Sequence, residues 1–176
     1  ALYGADPTPR IVAVETSESD ATLWIRHRDD TVTAERRPFT PWLLLREARA
    51  LPQATLDTLD GDPSGYHLRA RFPTWRAYQE ARRILRDEHR DVLQYGSAVK
   101  QFLIDSGCTL FKGMAFPDIA RMQVDIETTE LHWSGPDARI FLIACSDNRG
   151  REEILFGDET EMLERLTALV RAWDPD

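Results

Sequence analysis

Cysteine is scarce in this 176-residue chain: Cys108 and Cys145 are the only two. They have no metal-ligand spacing and Cys145 closes an apolar run, so they read as reduced thiols of a cytoplasmic protein, not as a disulfide framework or a zinc site. Long hydrophobic stretches are missing too. The longest, Ile140-Phe141-Leu142-Ile143-Ala144-Cys145, falls far short of the roughly 20 residues that cross a bilayer, so no membrane partner is expected. The chain opens without a charged-then-apolar leader, which argues against export. The four histidines are scattered with no His-x-x-x-His, and there is no glycine-rich phosphate loop, no nucleophile elbow and no 20–50-residue repeat.

What is present has the composition of a soluble globular protein. Hydrophobic residues make up 42% and charged residues 30%, with a mean hydropathy of -0.43, enough for one ordinary core or two small ones. Arginine carries almost all the positive charge, with 20 residues against two lysines, Lys100 and Lys112, a bias that points to a GC-rich genome. The net charge of -8 argues against a simple nucleic-acid-binding domain, but it is unevenly spread. Residues 1–65 balance at -4, residues 66–100 at +4 and residues 101–176 at -8. A basic middle and an acidic end suit a protein in which nucleic acid meets one part and metal ions another, although ordinary surface variation produces the same numbers.

Local patterns predict an α+β order. Ile11-Val12-Ala13-Val14 is a β-branched strand, residues 22–26 and 31–35 flank the turn Asp29-Asp30 as a hairpin, and residues 42–45 form a fourth strand after Pro38 and Pro41. Gly61-Asp62-Pro63-Ser64-Gly65 is a loop, and residues 66–72 alternate as a half-buried strand. Residues 74–90 are predicted helical, with Thr74 as cap and Trp75, Tyr78, Ala81 and Leu85 on one face. Arg76, Arg83 and Arg90 are seven apart and form a stripe beside that face. A DNA contact is one reading of the stripe. The favoured one is a solvated, charge-paired helix, because Glu80 and Asp87 stand at i,i+4 distance from Arg76 and Arg83. Residues 92–95 as a strand and 98–105 as a short helix ending at Gly107 complete a split βαβ unit. Residues 109–120, with Gly113 and Pro117, read as a connector and place a domain boundary near residue 115.

From residue 121 the pattern changes. Met122, Val124 and Ile126 alternate with Gln123, Asp125 and Glu127, a loop with Ser134-Gly135-Pro136 follows, and residues 140–145 form an apolar strand. Asp147-Asn148-Arg149-Gly150 turns the chain into a third strand, residues 153–156. Asp158 caps a helix, with Glu161 completing a capping-box-like pair and Met162, Leu163, Leu166, Leu169, Val170 and Trp173 as the buried stripe. Three consecutive strands and a crossing helix are the opening half of an RNase H-like fold.

Side chains two apart on a strand share a face and stand about 7 Å apart. Asp125 and Glu127 therefore project together, while Val124 and Ile126 are expected to bury. Two carboxylates at that distance repel by roughly 2–2.5 kcal/mol at an effective dielectric near 20, so the pair is either solvated or neutralised by cations. Two divalent ions about 3.5–4 Å apart fit if further carboxylates complete the shell. Asp-x-Glu alone is a weak signal, because exposed strand faces often carry two acids. His132 and Trp133 follow the strand and could reach a substrate, though a surface loop is the simpler reading.

Val124-Asp125-Ile126-Glu127-Thr128-Thr129 resembles the first exonuclease motif of family B DNA polymerases. Phe39-Thr40-Pro41-Trp42-Leu43-Leu44-Leu45 is similar to the family's N-terminal Phe-x-Pro-Tyr-Phe-Tyr-x-Leu stretch, and Phe72-Pro73 leading into a helix has its counterpart there. Ala98-Val99-Lys100-Gln101-Phe102-Leu103-Ile104-Asp105 resembles the segment ending Lys-Arg-Tyr-Leu-Ile-Asp, with Gln101 in place of the usual Arg and Gln94-Tyr95-Gly96 in place of Glu-Tyr-Asp. The closing Trp173-Asp174-Pro175-Asp176 matches the Asp-Pro-Asp ahead of the family's fourth exonuclease strand. The matches keep family order along nearly the whole chain.

The resemblance implies an α+β N-terminal domain over residues 1–115, followed over residues 116–176 by an incomplete RNase H-like α/β exonuclease domain. It implies a DNA-directed DNA polymerase with 3′–5′ proofreading, whose partners are a single-stranded DNA 3′ end, the template strand and dNTPs. Asp125 and Glu127 would be catalytic ligands of Mg²⁺ or Mn²⁺ in a two-metal site, and Thr128 would help hold the terminal nucleotide. The second and third exonuclease motifs and the polymerase palm would follow Asp176, so these residues alone are expected to be inactive. The rival readings are a stand-alone RNase H-like 3′–5′ exonuclease and a non-catalytic, polymerase-derived nucleic-acid-binding module.

Overall fold

The computed structural model describes residues 3–130 and 137–176. The chain folds as two compact units, Ala1–Gly113 and Met114–Asp176. Among the described residues it is mixed α+β, with three small antiparallel sheets and three α-helices.

In the first unit, β1 (Ile11–Thr16), β2 (Asp20–Arg26) and β3 (Val32–Pro38) form an antiparallel meander. The β2–β3 turn closes because Asp29 Oδ1 accepts from the Thr31 main-chain N–H at 3.1 Å and from its hydroxyl at 2.7 Å, a short polar side chain bonding two residues on. Alternation sends Ala21 and Leu23 inward to meet Ile11, Phe39, Phe102 and Cys108 in one core. β3 is a largely exposed edge whose Glu35, Arg36, Arg37 and closing Pro38 discourage pairing with another chain.

The second sheet runs β5 (Thr55–Thr58), β6 (Leu68–Arg71), β4 (Trp42–Leu45), β7 (Val92–Leu93). β4 is antiparallel to both β6 and β7. Those two are therefore parallel to each other, with α1 (Trp75–Asp87) crossing between them, which is a split βαβ arrangement. β5 has no counterpart in the sequence reading. Three of its four residues are exposed, so no apolar alternation marks it. The strands anticipated at 66–72 and 92–95 are shorter here, at four and two residues.

Thr74 takes extended backbone (φ -142°) and its hydroxyl accepts from Ala77 N–H, starting α1 as anticipated. Ala77, Tyr78, Ala81 and Leu85 bury against Leu43, Leu45, Leu51, Ala70 and Phe72, each large side chain contributing roughly 1.5–3 kcal/mol of apolar transfer. The helix ends at Asp87, short of residue 90. His89 turns left-handed (φ 52°) and the Arg90 N–H bonds back to Leu85 O, so Arg90 leaves the helical register. The Arg76–Arg83–Arg90 stripe is broken for that reason. Its expected ion pairs are absent too: among the described residues neither the Arg76 nor the Arg83 side chain meets an acid, and Asp87 lies 3.5 Å from Arg86 instead. α2 (Ala98–Ser106) starts on Ser97 and stops at Gly107, whose φ of 75° suits a residue without a Cβ.

In the second unit β8 (Met122–Thr128), β9 (Ile140–Asp147) and β10 (Glu152–Phe156) form a meander with β9 in the middle, and α3 (Glu159–Trp173) packs on β9 and β10. Asp158 caps α3 by accepting from Thr160 and Glu161 N–H. The reciprocal half of the capping box is not made. The neighbouring Glu159 reaches out instead, accepting from Ile140 N–H at 3.0 Å and tying the helix to β9.

The core here is small: Ile143, Cys145, Leu155 and Met162 are buried, with Met122, Ile140, Leu166, Leu169 and Trp173 partly so. Leu163 and Val170, expected to bury, stay 43% and 41% exposed because a three-stranded sheet is too narrow to cover a six-residue stripe. Val124 and Ile126 are likewise 43% and 45% exposed. They stand opposite Cys145 and Ile143, hence on the core face, but β8 is the edge strand beyond the cover of α3. No helix among the described residues is long and apolar enough to cross a membrane.

Candidate functional site

The carboxylates of β8 owe their position to strand alternation. Asp125 pairs with Ala144 and Glu127 with Leu142, and on the far side of β9 those two pair with Ile154 and Phe156. Directly opposed residues share a face, so Asp125 and Glu127 stand on the sheet face away from the core. That face is uncovered: Ile154 is 59% and Phe156 72% exposed. Two acids at the open edge thus border an apolar strip of Leu142, Ala144, Ile154 and Phe156. Neither carboxylate has a hydrogen-bond or ion-pair partner among the described residues, and no third His, Cys, Asp or Glu there completes a metal-holding group.

The end of β8 is latched by its threonines. The register shifts between Glu127 and Thr128, leaving Phe141 of β9 as the extra residue of a bulge. The Thr128 hydroxyl donates to Glu130 O at 2.8 Å. That of Thr129 donates to Asp137 O and accepts from Arg139 N–H, both at 3.0 Å. His132 and Trp133 lie outside the described residues.

The root of β8 is held more firmly. Ala120 N–H donates to Asp176 Oδ2 and Asp176 N–H to Ala120 O, both at 2.8 Å. Asn148 accepts from Arg121 N–H at 2.8 Å and donates through Nδ2 to Ile119 O at 3.0 Å and Pro117 O at 3.2 Å. The buried Asp147 carboxylate is paired with Arg151, whose guanidinium also lies over the Trp173 ring at 5.0 Å. Burial pushes Asp147 up, but the Arg151 and Arg149 N–H groups and the Arg151 side chain outweigh it and hold the carboxyl below its usual range. The Trp173–Asp176 tail and the β9–β10 turn therefore fix the strand at one end and leave the acids near the other.

In the first unit the structure groups arginines that sequence spacing did not. Gln79, Arg82, Arg83, Arg86 and Gln94 line an open groove of about 240 Å³. The signal was available: 79, 82, 83 and 86 follow the i, i+3, i+4, i+7 rule of one helical face, but a seven-residue stripe was the pattern singled out. A second groove of about 230 Å³ contains Arg46, Arg49 and Arg90 beside Glu47 and Asp91.

No protein-family model and no curated protein matches this chain.

Proposed function

We propose that this chain is the N-terminal part of a DNA-directed DNA polymerase with two-metal 3′–5′ proofreading, and that Asp125 and Glu127 are its first exonuclease ligands. One observation carries the reading: two carboxylates without a cation partner share the uncovered face of an edge strand that opens a three-stranded meander and helix. An RNase H-like exonuclease begins with the same order of elements, its acids on the first strand. The donor set fits the metal, since carboxylate oxygens are hard ligands suited to Mg²⁺ or Mn²⁺. Two acids do not suffice for two ions, and the reading places the remaining ligands outside these 176 residues.

When bound, the metals supply an activated water and counter-charge for the departing 3′ oxygen. The chain's own part is positional. The bonds from Asp176 and Asn148 hold the root of β8, so the two carboxylates project from a fixed strand. Thr128 spends its hydroxyl proton on Glu130 O, which leaves its oxygen to accept, as from a 3′-hydroxyl of the terminal nucleotide.

The test uses the longer protein that carries this chain. Asp125→Ala together with Glu127→Ala abolishes 3′–5′ digestion of single-stranded DNA while primer extension persists, because synthesis uses a separate carboxylate cluster. Digestion at the wild-type rate overturns the metal assignment. Digestion by the wild type without any primer extension identifies a stand-alone exonuclease.

A further inference from the structure

Two grooves of similar volume in the first unit each gather three arginines, and their charge is handled in opposite ways. In one, Arg46 pairs with Asp91 at 2.8 Å, Arg49 pairs with Glu88, and Arg90 reaches Glu47 at 3.5 Å and Glu88 at 3.6 Å. Its guanidiniums are neutralised. The other, formed by α1 and Gln94, has no acid in its lining. Arg82 is half-buried and oriented by neutral partners alone: Nε donates to Gln94 Oε1 at 2.6 Å, an Nη donates to Gln79 Oε1 at 2.9 Å, and the guanidinium faces the Tyr78 ring at 5.6 Å. These contacts fix the planar fork without cancelling its charge. Arg83 has no partner among the described residues. Arg86 has only a 3.5 Å contact with Asp87, with both side chains mostly exposed, a pair that water screens heavily.

Three guanidiniums with one screened acid contact among them repel one another, and in a chain of net charge -8 there are acids enough to have paired them all. The arrangement suits an external anion. Guanidinium forks match phosphate oxygens two at a time. Arg82 and Arg86 are separated by about 6 Å along the helix axis, more than one phosphate covers and within reach of two consecutive ones. The glutamines at the two ends add hydrogen-bonding groups that carry no charge.

We propose that this groove binds the phosphodiester backbone of a single-stranded nucleic acid, with Arg82, Arg83 and Arg86 contacting successive phosphates. The proposal extends the reading of the chain as a DNA-handling protein but does not require Asp125 or Glu127 to hold metal, and it is tested without divalent cations.

The experiment measures fluorescence anisotropy of a labelled oligothymidylate with the 176-residue chain in EDTA, across a series of salt concentrations. Binding is expected, with log K falling against log[salt] at a slope of about -2, the value for three phosphates neutralised on a single strand. Arg76 and Arg83 are both exposed α1 residues whose side chains meet no acid among the described residues, and only Arg83 lines the groove. Arg83→Gln should therefore reduce the slope by about 0.7, whereas Arg76→Gln leaves it unchanged. The measurement is made in EDTA and reads binding without cleavage, so failure of the metal assignment and failure of this one are distinguishable. The proposal is overturned if the wild type does not bind, or if the two arginine variants weaken binding equally. It is also overturned if inorganic phosphate, at matched phosphate concentration and ionic strength, displaces the strand completely, which marks a small-anion site.

Discussion

Trp42 donates twice to Gln101: its main-chain N–H to the Gln101 side-chain oxygen at 2.8 Å and its indole N–H to the Gln101 carbonyl at 3.4 Å. The Gln101 amide nitrogen donates in turn to Tyr95 O at 2.9 Å, and the side chain is fully buried. A single neutral amide thus joins β4, α2 and the segment after β7. An arginine at this position would bring a buried positive charge and no acceptor for the Trp42 N–H. The glutamine that departs from the polymerase pattern is therefore a built part of this core.

Replacing that amide by an apolar group of similar size tests its weight. Gln101→Leu strands the Trp42 N–H in a dry interior, and the expected loss of stability is about 1–3 kcal/mol, read from urea unfolding of the first unit. An unchanged midpoint would show that solvent reaches the N–H.

Asp6 sets an acid limit. The Thr8 hydroxyl and N–H and the Arg37 guanidinium, 2.8 Å away, lower its carboxyl from 3.8 to about 2 against the opposing effect of burial. Because the folded value lies below the unfolded one, the stabilisation is complete above about pH 5 and disappears as the pH falls through about 2. Asp6→Asn should cost on the order of 1–2 kcal/mol at neutral pH and progressively less below pH 4. The check is denaturation of both proteins between pH 2 and 7, where a difference independent of pH would refute the linkage.

The second unit rests on few buried side chains, Met162 the only fully buried one on α3. Met162→Ala removes a packed thioether and should cost about 2–5 kcal/mol. Hydrogen exchange should rise throughout β8, β9 and β10 while amides of α1, packed in a separate core, keep their protection. Exchange confined to the turn around Met162 would contradict a cooperative unit.

These 176 residues by themselves should release no nucleotides from labelled single-stranded DNA with Mn²⁺. Two acids on a solvated edge bind such ions feebly, since substrate phosphates and further ligands normally complete the shell. Processive 3′ release that disappears in Asp125→Ala would show that the catalytic set is complete within this chain.

Legibility in the sequence followed the range of the interaction. Thr74 and Asp158 as N-caps and Gly107 as a stop are settled within a few residues of chain, and the alternation that puts Asp125 and Glu127 on one face needs only strand geometry. The capping return from Glu161 is not made, and it is Glu159 that binds across to Ile140 N–H.

The amino-acid sequence by itself determined the order of elements apart from β5, the caps of α1 and α3 and the pairing of the two acids, because periodicity and capping are local. Only the tertiary structure decided what each face meets. Val124 and Ile126 follow a buried pattern yet remain exposed, since burial depends on whether another element lies over the strand, and α3 covers β9 and β10. The same holds for charge: Arg82, Arg83 and Arg86 line a groove that holds no acid, while Arg90 found the distant Glu47 as well as the nearby Glu88, because folding decided which acids came within reach.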